Sequence, residues 1–290
     1  MLTITTVREV CEAINAERAR GKTIGLVPTM GYLHEGHLTL MREAKRQADI
    51  VVASIFVNPT QFGPTEDLDA YPRDLARDGT LAQDAGVDVL FVPAVREMYP
   101  TGYSTYVDVE DITVVLCGQS RPGHFRGVAT VVTKLLNIVA PDIAFFGEKD
   151  WQQLAVIKRM VADLNMSTEI VGVPIVREPD GLAMSSRNTY LSPGERRAAL
   201  ALSKSLELAR VLVADGVRDT EIIVDKMRAM LANESLTNIE YVEIVDPDRL
   251  SSIEILSGPA LVALAVRVGT TRLIDNALIG QDLEKTGDFV

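Results

Sequence analysis

With 290 residues, 47% of them apolar and 24% charged, the chain has the make-up of a globular protein long enough for one large core or two unequal domains. A net charge of −11 excludes a broad basic surface for nucleic acid or anionic membrane, and no run approaches the roughly 20 apolar residues of a membrane span. Cys11 and Cys117 are too few for a disulfide framework, and Glu9, Glu12, Arg18 and Arg20 interrupt the apolar stretch that a secretory leader needs, so a cytoplasmic protein is expected.

In chain order, Val7, Val10, Cys11 and Ile14 mark a short amphipathic helix, and 23–28 (TIGLVP) reads as a buried strand that ends in a turn. A helix is expected over 36–47, and the apolar run 49–57 (DIVVASIFV) is a second strand. The alternation continues with a helix at 73–85, a strand at 87–92, a helix at 128–139, a strand at 143–147, a helix at 150–164 and a strand at 169–173. This pattern belongs to an α/β fold, a Rossmann-like doubly wound parallel sheet, which binds ligands beyond the carboxyl ends of its strands. Two long helices at 193–214 and 220–233 then precede strands at 239–245 and 261–268, as in a smaller α+β domain. The division predicted is therefore 1–176 and 177–290, with 184–187 still serving the first domain's site and the tail 281–290 frayed.

The segment Pro28-Thr29-Met30-Gly31-Tyr32-Leu33-His34-Glu35-Gly36-His37 lies between a strand and a helix. Gly31 and Gly36 allow a tight turn and a close approach of backbone to ligand, and a helix start offers N–H groups and partial positive charge to a phosphate. His34 and His37 add donors. A P-loop needs Lys and then Ser or Thr where His37 and Leu38 stand. A zinc-protease helix needs histidines four apart, and these are three apart. The competing reading has both histidines only capping and packing.

His34-x-Gly36-His37 is also the signature of enzymes that act at the α-phosphorus of ATP or CTP, whose partner motif is a later basic, hydroxyl-rich loop. Met184-Ser185-Ser186-Arg187 fills that place, with hydroxyls and a guanidinium suited to phosphate. Gly147-Glu148-Lys149-Asp150 follows an apolar strand and opens a helix, so its amides and Lys149 can face an anion, although Asp150 alone reads equally as an N-cap. Arg121-Pro122-Gly123-His124-Phe125-Arg126 holds the third histidine in an expected loop, either a flap ordered by Pro and Gly or a catalytic element.

PTMGYLHEGH (28–37), SIFVNPTQF (54–62), RPGHFRGV (121–128), FFGEKDWQQL (145–154), GLAMSSRN (181–188) and GTTRLIDN (269–276) together resemble the pantothenate synthetase family, in its order and spacing. The resemblance implies an ATP-dependent ligase that activates pantoate as an acyl-adenylate and passes it to β-alanine. It implies that His34, His37, Lys149, Ser185, Ser186 and Arg187 carry the chemistry, with His37 as proton donor. ATP would lie against Met30, Gly31, Tyr32, Leu33, His34, Glu35, Gly36, His37, Gly147, Glu148, Lys149, Asp150, Val176, Met184, Ser185, Ser186 and Arg187. Gln61 and Gln153 would hold pantoate, since a neutral amide both donates to a carboxylate and accepts from a hydroxyl. Mg²⁺ would be bound mostly by phosphate oxygens, with Asp88 as an indirect contact. Family members are typically homodimers. Cys117 stands where some members carry a glutamate, so no contact of that carboxylate carries over; it reads as a small buried residue. Two rivals stay open: a nucleotidyltransferase of the same fold, which has no need of Gln61 or Gln153, and a nucleotide-binding regulator without turnover, which would be expected to show a broken motif.

Overall fold

The computed structural model describes residues 1–64 and 66–283, so most of the tail expected to fray lies outside the described residues. The chain forms two compact units. One comprises 1–113, 121–148 and 156–176; the other comprises 114–120, 149–155 and 177–290.

The first unit is built on six parallel strands: β1 (Leu2–Ile4), β2 (Ile24–Thr29), β3 (Ile50–Ile55), β4 (Val89–Phe91), β5 (Ile143–Gly147) and β6 (Glu169–Val173). Their spatial order is β1-β4-β3-β2-β5-β6. The central strands are apolar on both faces because helices cover both. Val27, Val51, Ala53, Leu90 and Phe145 pack under α2 (Glu35–Gln47) and α3 (Leu75–Asp84), which contribute Leu38, Met41, Ala44 and Ala82. The alternate residues Leu26, Val52, Phe91 and Ala144 are buried as well and face the other side, where α6 (His124–Val139) packs on β2 and on α1 (Val7–Arg18). The order reverses between β2 and β5, the neighbours from which connections leave in opposite directions; such a switch point opens a crevice beyond the strand ends. Gly31–His37 follow β2, running from its turn into α2, and Gly147 ends β5 with Glu148 next after it.

Among the described residues, the α-helices and strands not anticipated are β1, the single-turn helices α4 (Val95–Met98) and α5 (Cys117–Ser120), and β9 (Thr271–Ile279). The helix expected from 128 starts one turn earlier. Gly123, at φ 83°, turns the chain in the left-handed region, so His124 opens α6 instead of lying in a loop. Likewise the helix expected from 150 starts at Trp151: Glu148–Asp150 form a 3₁₀ turn ahead of α7 (Trp151–Asp163).

The second unit packs α8 (Pro193–Ala214) and α9 (Thr220–Ala232) on an antiparallel meander of β7 (Thr237–Val245), β8 (Ala260–Val268) and β9. A reciprocal capping box starts α8: the Ser192 hydroxyl accepts from the Glu195 N–H (3.3 Å), and the Glu195 carboxylate accepts from the Ser192 N–H (2.8 Å). Leu202, Leu206, Ile223, Met227, Val262, Leu264 and Val266 form its core.

Candidate active site

In the first unit the turn after β2 is held from below by a residue that the motif does not contain. Asp78 of α3 is 1% exposed, and its carboxylate accepts from the Tyr32 N–H (2.6 Å) and the Leu33 N–H (2.7 Å). Gly31 and Tyr32 have φ of 86° and 50°. A Cβ on Gly31 would come within 2.9 Å of the Ile55 side chain and 3.1 Å of Asp78, so both space and backbone demand glycine there. Tyr32 bears the left-handed conformation as a bulky residue, a strained geometry that persists only where surroundings enforce it. Its ring lies 5.2 Å from the Arg77 guanidinium carbon.

This turn delivers His34 to the N-cap of α2 and His37 to the helix's first turn, with ring centroids 4.0 Å apart. His34 Nδ1 accepts from the Gly36 N–H (3.2 Å), and His37 Nδ1 accepts from the His34 N–H (3.3 Å). An Nδ1 that accepts carries no proton, so each ring is in the Nε2–H tautomer. Two Nε2–H donors are thereby fixed in direction at a helix N-terminus, where the backbone dipole also favours negative charge.

Gln61 ends a 3₁₀ turn (Pro59–Gln61) after β3. The side chain of Asn58, 1% exposed, donates to Gln61 Oε1 (3.1 Å) and to the Gly127 carbonyl (3.1 Å), and the Tyr99 hydroxyl donates to Asn58 Oδ1 (2.8 Å). Gln61 Nε2 reaches Met30 Sδ (3.2 Å), which ties the amide to the histidine turn. The Gln61 carbonyl accepts from His124 Nδ1 (2.8 Å), while Arg121 donates to His124 Nε2 (3.0 Å). Arginine only donates, so His124 carries its proton on Nδ1. Arg121 also grips Glu66 at 2.6 and 2.7 Å. Partial burial pushes the Glu66 carboxyl up, but the Arg121 hydrogen bonds and charge win and hold it below the usual range. His124 thus braces the turn that carries Gln61.

Asp88 stands apart from this group. It lies at the amino end of the sheet, where its carboxylate takes Lys45 Nζ (2.8 Å) and the Val51 N–H (2.8 Å). Parallel strands put that end opposite the histidine turn, so the fold does not bring Asp88 to the other candidates. Among the described residues no group of three or more His, Cys, Asp or Glu side chains could cage a metal ion.

In the second unit Lys149 sits in the 3₁₀ turn ahead of α7, with Nζ 3.8 Å from Asp150. Glu148, assigned to the first unit, has its carboxyl raised by burial. Gln153 lies in the first turn of α7. Its neighbour Gln152 is structural: it accepts from the Cys117 N–H (2.9 Å) and donates to the Val115 carbonyl (2.8 Å). Cys117 is buried, 3.1 Å from the Tyr241 hydroxyl. Arg177 and Ala183 pair across a short turn that leads from Val176 to Met184. Ser185 then caps a 3₁₀ helix (Ser186–Tyr190), its hydroxyl accepting from the Arg187 N–H (3.3 Å). Asn188 pins this loop by donating to Glu178 (2.8 Å) and to the Ala183 carbonyl (3.0 Å).

The model of the pantoate-beta-alanine ligase family matches residues 2–278. The chain belongs to the pantoate–β-alanine ligase family. It is 61% identical over 281 residues to the pantothenate synthetase of Pelotomaculum thermopropionicum, covering 97% of this chain and 100% of the relative. It superposes on a pantothenate synthetase structure from Thermus thermophilus with a TM-score of 0.91 at 48% identity, over 96% of this chain and 99% of that one. A Francisella tularensis pantoate-beta-alanine ligase complexed with β,γ ATP and β-alanine matches with a TM-score of 0.79 at 34% identity, over 96% and 97% of the two chains.

Within the ligase, Asp78 and Asn58, which hold the turns that bear candidate residues, are residues that residue-by-residue reading missed. For Asn58 the signal was its place in the SIFVNPTQF block. For Asp78 it was only that Asp78 and Ala82 share a helical face at i, i+4. Asp78→Asn replaces one acceptor oxygen by a donor facing an N–H, so this variant of the ligase should lose about 1.5–3 kcal/mol of stability. Chemical denaturation checks this, and an unchanged midpoint and slope would remove Asp78 as the anchor of the turn.

Proposed function

We propose that this chain joins (R)-pantoate to β-alanine in two steps driven by ATP, forming pantothenate, the reaction named by its family. A pantoate carboxylate oxygen attacks the α-phosphorus in line; the bond from that phosphorus to the bridging oxygen of pyrophosphate breaks, and pantoyl adenylate forms. The β-alanine amine then attacks the mixed-anhydride carbonyl, the bond to the adenylate oxygen breaks, AMP leaves, and the nitrogen loses its extra proton.

The observation that carries the reading is the histidine pair, two neutral imidazoles whose Nδ1 atoms both accept main-chain N–H groups. Nε2–H donors held in this way suit phosphate oxygens, where negative charge grows as pyrophosphate departs. In our reading His37 supplies the hydrogen bond or proton, His34 assists, and Met30 to Glu35 with Gly36 border the nucleotide. Lys149, Ser185, Ser186 and Arg187 meet the phosphates, and Gly147, Glu148, Asp150, Val176 and Met184 complete the ATP contacts. Gln61 and Gln153 hold pantoate. The relative complexed with β,γ ATP and β-alanine supports both substrates. Mg²⁺ enters the reading with ATP: among the described residues no group of His, Cys, Asp or Glu side chains could cage it, phosphate oxygens are the ligands we assign to it, and no step is routed through it. On family resemblance we extend the proposal to a cytoplasmic homodimer; no helix among the described residues is long and apolar enough to cross a membrane.

The deciding assay follows AMP and pyrophosphate with each acid omitted in turn. Exchange of labelled pyrophosphate into ATP should need pantoate alone, and AMP release should need both acids. AMP transfer to a phosphate acceptor, with no requirement for β-alanine, would replace the ligase by a nucleotidyltransferase.

A further inference from the structure

In the second unit, two consecutive polar residues interrupt the apolar strand β9. Asp275 and Asn276 are 3% and 5% exposed, while Leu273, Ala277 and Ile279 around them belong to the core. A buried carboxylate and a buried amide are costly to desolvate, and apolar residues of similar size would serve packing as well or better. What they hold accounts for their presence.

Asp275 takes Arg177 in a two-pronged ion pair, at 2.7 and 2.9 Å, and accepts from the Asn276 N–H (2.8 Å). Arg177 in turn donates to the Gly181 carbonyl (3.1 Å) and pairs through its backbone with Ala183. The ion pair therefore fastens the base of the turn from which residues 184–187 extend. Asn276 donates from Nδ2 to the main-chain carbonyl of Lys149 (2.9 Å). One strand thus grips both segments of the second unit that our reading directs at phosphate. We infer that Asp275 and Asn276 are positioning residues for nucleotide activation: Asn276 acts through Lys149, and Asp275 through Arg177 on the loop of Ser185, Ser186 and Arg187.

The inference rests on the phosphate role of Lys149 and Arg187, and the test separates the two. In the full-length enzyme, single-turnover formation of pantoyl adenylate is measured beside the second half-reaction, in which preformed pantoyl adenylate meets β-alanine. Asn276→Ala should slow the first about tenfold or more and leave the second within about twofold. A general loss of structure would depress both. On a Lys149→Ala background Asn276→Ala should cost nothing further, because the residue it aims is gone. Asp275→Asn should behave in the same way against Arg187→Ala. If Asn276→Ala fails to fold, Asn276→Asp keeps the volume while turning an acceptor toward the Lys149 carbonyl, and the same cycle applies. Equal losses in both half-reactions, or additive losses in the cycles, would overturn the inference. Unimpaired adenylation by Lys149→Ala would instead overturn the phosphate role on which it stands.

Discussion

His37→Ala is expected to form pantoyl adenylate about 10²- to 10³-fold more slowly in single turnover, the usual cost of removing one donor aimed at developing charge. Truncation also removes the Nδ1 that caps the His34 N–H, so two further variants separate aim from capping. His37→Asn places an amide oxygen near the position of Nδ1, preserving the cap without the distal donor. His37→Gln reaches toward the position of Nε2 and keeps a donor there. Stability should be retained best by His37→Asn and adenylation best by His37→Gln. Wild-type adenylation in His37→Asn would remove the distal nitrogen from the mechanism. Faster adenylation in His37→Asn than in His37→Gln would show that the cap, and not the distal donor, is what matters.

Gly127→Ala carries the second large effect. Gly127 lies in the first turn of α6, and a Cβ there would stand 2.6 Å from the Gln61 nitrogen and 2.6 Å from the Thr60 carbonyl carbon. Both are backbone atoms, so the turn itself must move. Its displacement strains the Asn58 hydrogen bonds to the Gly127 carbonyl and to the Gln61 side chain, and overpacking of this kind costs about 1–3 kcal/mol. The ligase should therefore show a lower unfolding midpoint together with a raised KM for pantoate, while ATP binding measured without pantoate stays near its original value. Normal pantoate KM in a destabilised Gly127→Ala would detach Gln61 from pantoate.

The parallel sheet was legible because its central strands are short apolar runs set between turn residues and helical spacings. β9 was not, because Arg272, Asp275 and Asn276 break the alternation that marks a half-buried strand, and their burial depends on partners distant in sequence. β1, α4 and α5 are too short for any period to register. His124 was placed in a loop because Pro122 and Gly123 signal a turn; they do make one, and it ends one residue before the helix. Among the candidate residues, the histidine pair of the first unit and the serine–arginine loop of the second were visible as local patterns. Asp78 was hidden because a carboxylate between Arg77 and Gly79 on an exposed-looking helix gives no sign that it faces inward to meet two amides.

The second unit is assembled from 114–120, 149–155 and 177–290, which has a consequence for the order in which the ribosome delivers it. Cys117 meets Tyr241, Trp151 donates to the Pro247 carbonyl at 2.8 Å, and the Lys149 carbonyl meets Asn276. The early partner of each pair leaves the ribosome 96 to 127 residues before the late one, about 5–25 s at typical rates of synthesis. A nascent chain stopped at 176 holds the lysine turn without the strand that fixes it, so the Lys149 turn and the 184–187 loop take their final form only after β9 has been made.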